Sequence, residues 1–261
     1  MQKRKPEMGK WLLYQFFRRN AEIARYLPET RKYTHDVLKT MLQRYRMVYV
    51  KPVAGSQGKG IMKVWYDGDK GVFVQHTIRA RRRFSDVASA LRHIDGLRGG
   101  KMYIVQRGIH LAQIDGRPID IRVMMQREKP GGAWRYSGML AKVAGGGSVV
   151  TNTALSGGRV MDVDKALMTA LNWNRVRALR TVKRLEQLGH VWARHFDSYQ
   201  RYRELGFDVA IDRGGRIWLL EQNTAPSHAL FARNKQNLAP YRRIQYRWGV
   251  FQHALKANKR A

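Results

Sequence analysis

Of the 261 residues, 50 are Lys or Arg and 19 are Asp or Glu, a formal net charge of +31, while 44% are hydrophobic and 7 are Trp. That apolar content excludes a disordered chain, and the length suits one large or two small domains with a substantial core. The absence of Cys excludes disulfides and thiolate chemistry. No apolar run approaches the roughly 18 residues of a membrane span, and no signal peptide follows the basic start, so the expectation is a soluble cytoplasmic protein without membrane insertion.

Trp11, Leu12, Tyr14, Phe16, Phe17, Ile23 and Leu27 form an apolar stripe between basic residues and predict a helix that Pro28 breaks. Thr34 is placed to cap a second helix through Val37, Leu38, Met41 and Leu42. Val48-Tyr49-Val50 reads as a strand. After a glycine-rich segment, Ile61 to Tyr66 and Val72 to His76 read as two more strands joined by a turn at 67–71. Ser85 is placed to cap a helix through Val87, Ala90, Leu91 and Ile94, and 101–106 returns as a strand. Beyond it come strands at 119–126 and 134–143, a glycine run at 145–147, a long helical stretch over about 162–205, a hairpin at 207–223 and a basic, helical C-terminus. Strands and helices mix without regular βαβ alternation, which predicts an α+β fold with mostly antiparallel pairing.

Two segments carry chemistry. After Lys51-Pro52, the run Gly55-Ser56-Gln57-Gly58-Lys59-Gly60 holds three glycines, which let backbone N–H groups approach an anion without Cβ interference. It lacks the Gly-Lys-Ser/Thr ending of a P-loop, and a strand pattern follows it, so it is neither a Walker A loop nor a dinucleotide turn. It reads either as a plain hairpin turn or as a loop that folds over phosphates, with Lys51 as a point charge beside it.

The second segment is the hairpin at 206–223. A two-residue turn at Gly214-Gly215 pairs Arg213 with Arg216 and places Asp208 opposite Glu221, with Asn223 on the same face as Glu221. The flanking positions are apolar, so two neighbouring carboxylates are expected in a buried setting, where they repel unless compensated. Either a divalent metal does this, with Asp, Glu and an Asn carbonyl as the all-oxygen set that suits Mg2+, or Lys and Arg pair with the carboxylates.

Taken in order, these segments resemble the ATP-grasp family, and more narrowly the endospore coat-associated proteins of the YheC/YheD type. The resemblance rests on Tyr26-Leu27-Pro28-Glu29-Thr30, "VYVKPVAGSQGKGI" at 48–61, "GRPIDIRVMMQ" at 116–126, "TNTALSGG" at 151–158 and "GFDVAIDRGGRIWLLEQN" at 206–223, and it covers about residues 10 to 240. It implies two α+β subdomains with mostly antiparallel sheets clasping ATP between them. The corresponding division is a helical segment at 1–47, a small subdomain at 48–105, a large one at 106–240 and a basic helix at 241–261.

The resemblance also implies roles. Lys51 contacts the phosphates, and Gly55, Ser56, Gln57, Gly58, Lys59 and Gly60 form the lid loop. Gln106, Arg107 and Ile109 belong to the hinge that hydrogen-bonds adenine. Asp208, Glu221 and Asn223 hold one or two Mg2+ ions. Arg122 and Lys142 steady the transferred phosphoryl group and an acyl-phosphate, and Asn152 lies in the same region. The implied activity is an ATP-dependent carboxylate–amine or carboxylate–thiol ligase, and the likeness adds a spore-associated setting. Such chemistry rests on positioning and charge neutralisation and needs no protein nucleophile.

The basic runs stand apart from these roles. Arg79 to Arg83, the cations at 175–184, and Arg242, Arg243 and Arg247 among Tyr241, Tyr246 and Trp248 suit an acidic polymer or peptide. They also suit nucleic acid through phosphate contacts and stacking, although a solvated basic surface is the plainer reading. The alternative to a ligase is therefore a basic binding module with a regulatory or vestigial ATP site.

Overall fold

Thr34 starts a helix as its position predicts: its hydroxyl accepts the Val37 backbone N–H at 3.1 Å, satisfying one of the donors left open at the beginning of α3 (His35–Tyr45). The structure is a computed structural model and describes residues 8–55, 58–68, 71–76, 81–145 and 157–257. Two compact units divide the chain, one within Pro6–His110 and the other built from Leu111–Val143 and Arg159–Ala261.

The first unit contains α1 (Lys10–Arg18), α2 (Ala21–Ala24), β1 (Thr30–Lys32), α3, β2 (Met47–Pro52), β3 (Met62–Tyr66), β4 (Val72–His76), β5 (Arg82–Phe84), α4 (Val87–Arg98) and β6 (Tyr103–Arg107). Its strands form one sheet in the order β1-β6-β2-β3-β4-β5, and every neighbouring pair is antiparallel. The segment expected to be helical throughout thus includes β1, three residues being too short to show an alternating pattern. Asp86, not Ser85, caps α4: its carboxylate accepts the Ser89 N–H at 2.7 Å, and the Ser85 hydroxyl donates to the same carboxylate.

Strand alternation divides the sheet into two faces. Val48, Val50, Val64, Val74 and Val105 pack against Leu38, Met41 and Leu42 of α3 and Leu91 and Ile94 of α4. The opposite face carries Thr30, Gln106, Tyr49 and Lys63, which follow one another directly across β1, β6, β2 and β3. One face is the unit's core, and the other is a polar row that includes residues singled out from the sequence.

In the second unit, β7 (Gln113–Ile114), β8 (Arg117–Gln126), β9 (Arg135–Val143), β10 (Arg159–Met161), β11 (Glu204–Ile211) and β12 (Ile217–Asn223) make an antiparallel sheet. Its order is β10-β9-β8-β11-β12, with β7 beside β8. The single long helix expected over 162–205 is two, α5 (Val163–Leu171) and α6 (Arg175–Phe196). They separate where Asn172 turns left-handed at φ 51° and the Asn174 side chain accepts the Arg177 N–H at 2.9 Å. Helix α6 lies on one face: a Cβ on Gly189 would meet Met125 Sδ at 2.9 Å and Val123 Cγ1 at 3.1 Å. The other face packs Met124 and Leu140 against Phe231 of α7 (Ala229–Ala232) and Ile244 of α8 (Ala239–Ala257), so the C-terminal helix belongs to this unit's core. Among the described residues, no helix is long and apolar enough to cross a membrane.

The β11–β12 hairpin corrects one detail of the sequence reading. Arg216 faces Asp212, not Arg213: the Asp212 N–H donates to the Arg216 carbonyl at 3.0 Å, leaving a three-residue loop with Gly215 at φ 88°. An odd loop alone would put Glu221 on the face opposite Asp208. A bulge between Asp208 and Val209 in the pairing leaves Leu220 as the extra residue, and Asp208 faces Glu221 after all.

Candidate functional site

In the second unit, alternation aligns the site. Asp120 stands opposite Lys142, while Leu140, Arg122, Asp208 and Glu221 follow one another across β9, β8, β11 and β12. These residues share a face with Met124 and Leu140, which α7 and α8 cover. Asp120, Arg122, Lys142 and Asp208 are all buried.

Buried charges cost several kcal/mol unless paired, and here they are. Arg122 grips Asp208 with two bonds, Nε to Oδ1 at 2.8 Å and Nη2 to Oδ2 at 3.0 Å. Lys142 Nζ lies 3.0 Å from both Asp208 Oδ1 and Asp120 Oδ1. Asn223 Nδ2 donates to Asp208 Oδ2 at 3.2 Å. Burial favours the neutral Asp208 carboxyl, but the Arg122 and Lys142 cations outweigh it and hold its pKa well below the usual carboxylate range. Burial likewise disfavours the two cations. Asp208, with Asp120 and Glu221 beyond it, more than offsets this for Arg122, and Asp120 and Asp208 together do so for Lys142, so both pKa values rise.

A depressed carboxylate pKa has a definite sign in stability. The contribution of Asp208 is present in full above its unfolded pKa of about 4 and is lost as pH falls from there toward the folded value. Burial opposes ionisation of Glu29 as well, and hydrogen bonds from Tyr45 and Arg31 overcome it, so Glu29 acts in the same direction. The urea midpoint is expected to be steady from pH 7 to about 5 and to drop steeply below about 4. Asp208→Asn, already weaker at neutral pH, should show a smaller drop.

The first unit groups a second set. Lys51 Nζ donates to Gln106 Oε1 at 2.6 Å, and Gln106 Nε2 donates to the buried Thr30 Oγ1 at 3.0 Å. Past Gln106, the Arg107 N–H donates to the Glu29 carbonyl at 2.8 Å, its guanidinium lies 4.9 Å from the Tyr45 ring centroid, and Ile109 is buried. Gly55, Gly58 and Gly60 have φ of 114°, 76° and 74°, conformations that side chains resist, and Lys59 is exposed. Ser56, Gln57 and Asn152 lie outside the described residues.

Two contributors escaped the sequence reading. Asp120 is the second carboxylate on Lys142; its spacing of two from Arg122 within a strand was the available signal. Lys10 Nζ donates to the Gly55 carbonyl at 2.6 Å, at the root of the glycine loop. A contact spanning 45 positions leaves no local trace.

The set Asp208, Glu221 and Asn223 fits Mg2+ in donor type, with two carboxylates and one amide carbonyl, all hard oxygens. Among the described residues, no cluster of three or more His, Cys, Asp or Glu could hold a metal, so such a site depends on Asn223 as a donor. At Asp208, Arg122 and Lys142 stand where a divalent cation would, which is the Lys and Arg pairing weighed in the sequence reading.

A model of the YheC/D-like ATP-grasp family matches residues 4–247. The chain belongs to that family. Its antiparallel two-sheet α+β architecture is the ATP-grasp fold. The chain is similar to two endospore coat-associated proteins of Bacillus subtilis strain 168. With YheD it shares 27% identity over 233 residues, 86% of this chain and 49% of that protein. With YheC it shares 24% over 264 residues, 91% of this chain and 66% of that protein. The chain thus spans about half the length of the first relative and just under two thirds of the second. A solved structure also aligns, the C-terminal domain from K. lactis Pby1, described as an ATP-grasp enzyme interacting with the mRNA decapping enzyme Dcp2. The TM-score is 0.49 at 15% identity, covering 86% of this chain and 68% of that one.

Proposed function

We propose that this ATP-grasp chain binds ATP with Mg2+ and activates a carboxylate as an acyl-phosphate for attack by an amine or thiol. The observation that supports this most is the buried group Asp120, Arg122, Lys142 and Asp208. A sheet gains nothing in stability from burying two acids and two cations where apolar residues would serve as well, so the group suits a functional demand.

In this reading Asp208, Glu221 and the Asn223 carbonyl hold Mg2+, which neutralises phosphate charge. Arg122 and Lys142 release Asp208 and turn to the phosphoryl oxygens, where their cations stabilise charge as it develops. The phosphoryl oxygens then take over from Asp208 as the anion paired with the two cations. Lys51 and the glycine loop serve the polyphosphate, and residues 106–109 serve adenine. Cys is absent from the sequence, and none is needed. Calorimetry tests the first step: Mg–ATP is expected to bind, and ATP far more weakly when EDTA removes the metal. Absence of Mg–ATP binding overturns the reading. An ADP-release screen over carboxylic acids and amines then seeks the acceptor.

A further inference from the structure

We infer that Thr30 is a positioning residue for Lys51, acting through the side-chain amide of Gln106; the inference rests on the proposed role of Lys51 at the ATP phosphates. Thr30 and Gln106 are direct partners in the antiparallel pairing of β1 with β6, so their side chains rise from the same face. Both are buried, at 2% and 7% exposure, so neither can turn to bulk water for a substitute partner.

The bonds form a chain with one allowed direction. The Pro28 carbonyl can only accept, and the Thr30 hydroxyl donates its single proton to it at 2.9 Å. Thr30 Oγ1 is then an acceptor toward Gln106, so the amide must present its NH2 to Thr30 at 3.0 Å. That leaves the amide carbonyl facing Lys51, whose ammonium donates to it at 2.6 Å. The reversed amide would set its oxygen against a hydroxyl whose proton is spent, and its NH2 against an ammonium. Thr30 thereby decides which end of Gln106 meets Lys51.

The choice of an amide matters as well. A carboxylate at 106 would tether Lys51 but cancel its charge. The amide oxygen orients the ammonium without itself cancelling the charge. An amide can be reversed, however, and a carboxylate cannot, so this arrangement requires a neighbour that fixes the amide's sense. The segment Pro28-Glu29-Thr30 provides it, and the Glu29 carbonyl also receives the Arg107 N–H. A motif with no evident chemistry of its own is thus tied to both the phosphate lysine and the hinge.

Thr30→Val keeps the shape of the side chain and removes the hydroxyl; Thr30→Ser keeps the hydroxyl. Calorimetry with Mg–ATP and with adenosine on the full chain, and 1H–15N NMR of the Gln106 side-chain amide without nucleotide, give three readouts. Thr30→Val is expected to weaken Mg–ATP binding roughly tenfold, the usual scale for orphaning a buried polar group. It should change adenosine binding less than about twofold, because Lys51 serves the phosphates, and should remove the amide's protection from exchange. Thr30→Ser should bring Mg–ATP affinity and amide protection back to wild-type levels and leave adenosine binding unchanged. Should Thr30→Val fail to fold by circular dichroism, Thr30→Ala carries the test: it also removes the hydroxyl and leaves Gln106 unchanged, and the same tenfold loss for Mg–ATP is expected. Mg–ATP affinity unchanged in the variant that folds, an equal loss for ATP and adenosine, or no rescue by Ser overturns the inference and leaves ATP binding standing. Wild-type protein that binds no Mg–ATP, with a Gln106 amide protected only when Thr30 carries its hydroxyl, overturns the proposed function but supports the positioning of the amide.

Discussion

Asp208→Ala is expected to lower the unfolding free energy by about 3–5 kcal/mol, the cost of removing one partner from a buried ion pair. Lys142 would then keep Asp120, and Arg122 would lie buried without its two bonds to Asp208. The loss exceeds what a truncated Asp costs at a surface, because desolvated cations remain after the anion is gone. Urea unfolding at pH 7 measures it. A loss below about 1 kcal/mol would mean that water reaches the cations and that the site is not a low-dielectric one. Replacing Asp120, Arg122, Lys142 and Asp208 together with apolar residues, so that no buried charge is left unpaired, should recover much of the stability while abolishing ATP binding, which separates the functional demand on the group from its structural role.

Glu221→Ala is expected to have the larger effect on activity and a small one on stability. The side chain is half-buried at the far end of the row Leu140, Arg122, Asp208 and Glu221, so truncation should cost within about 1 kcal/mol of stability. If Glu221 supplies one of two carboxylates to Mg2+, its loss should reduce Mg–ATP-dependent ADP release on the order of 10²–10³-fold, as for removal of one group that stabilises developing charge. The Mg2+ dependence of ATP binding should weaken in parallel. Turnover at the wild-type level would remove Glu221 from the metal site. Wild-type turnover together with lost stability would make it a structural partner of β11.

Much of this was readable along the chain because it is local. The Thr34 cap, the valine alternation of β2 and the apolar run of the hairpin each depend on residues within a few positions. The pairing of Asp208 with Glu221 was reached through the wrong turn. A three-residue loop displaces the register by one, and the bulge at Leu220 displaces it back. Loop geometry and bulges depend on backbone conformation at single residues, which composition does not display. The split between α5 and α6 was missed for a similar reason: Asn172 in the left-handed region ends one helix without a glycine or proline to mark the place.

The sequence by itself determined the fold family, the two-sheet α+β class and the residue types available for holding phosphate and metal, because motif order and strand alternation are written in neighbouring residues. Tertiary structure decided which charges meet. Arg122 and Asp208 are 86 positions apart, and Gln106 and Thr30 are 76 apart. Strand register brings them to bonding distance, and burial makes the pairing obligatory, since a desolvated charge or amide must find its partner within the fold.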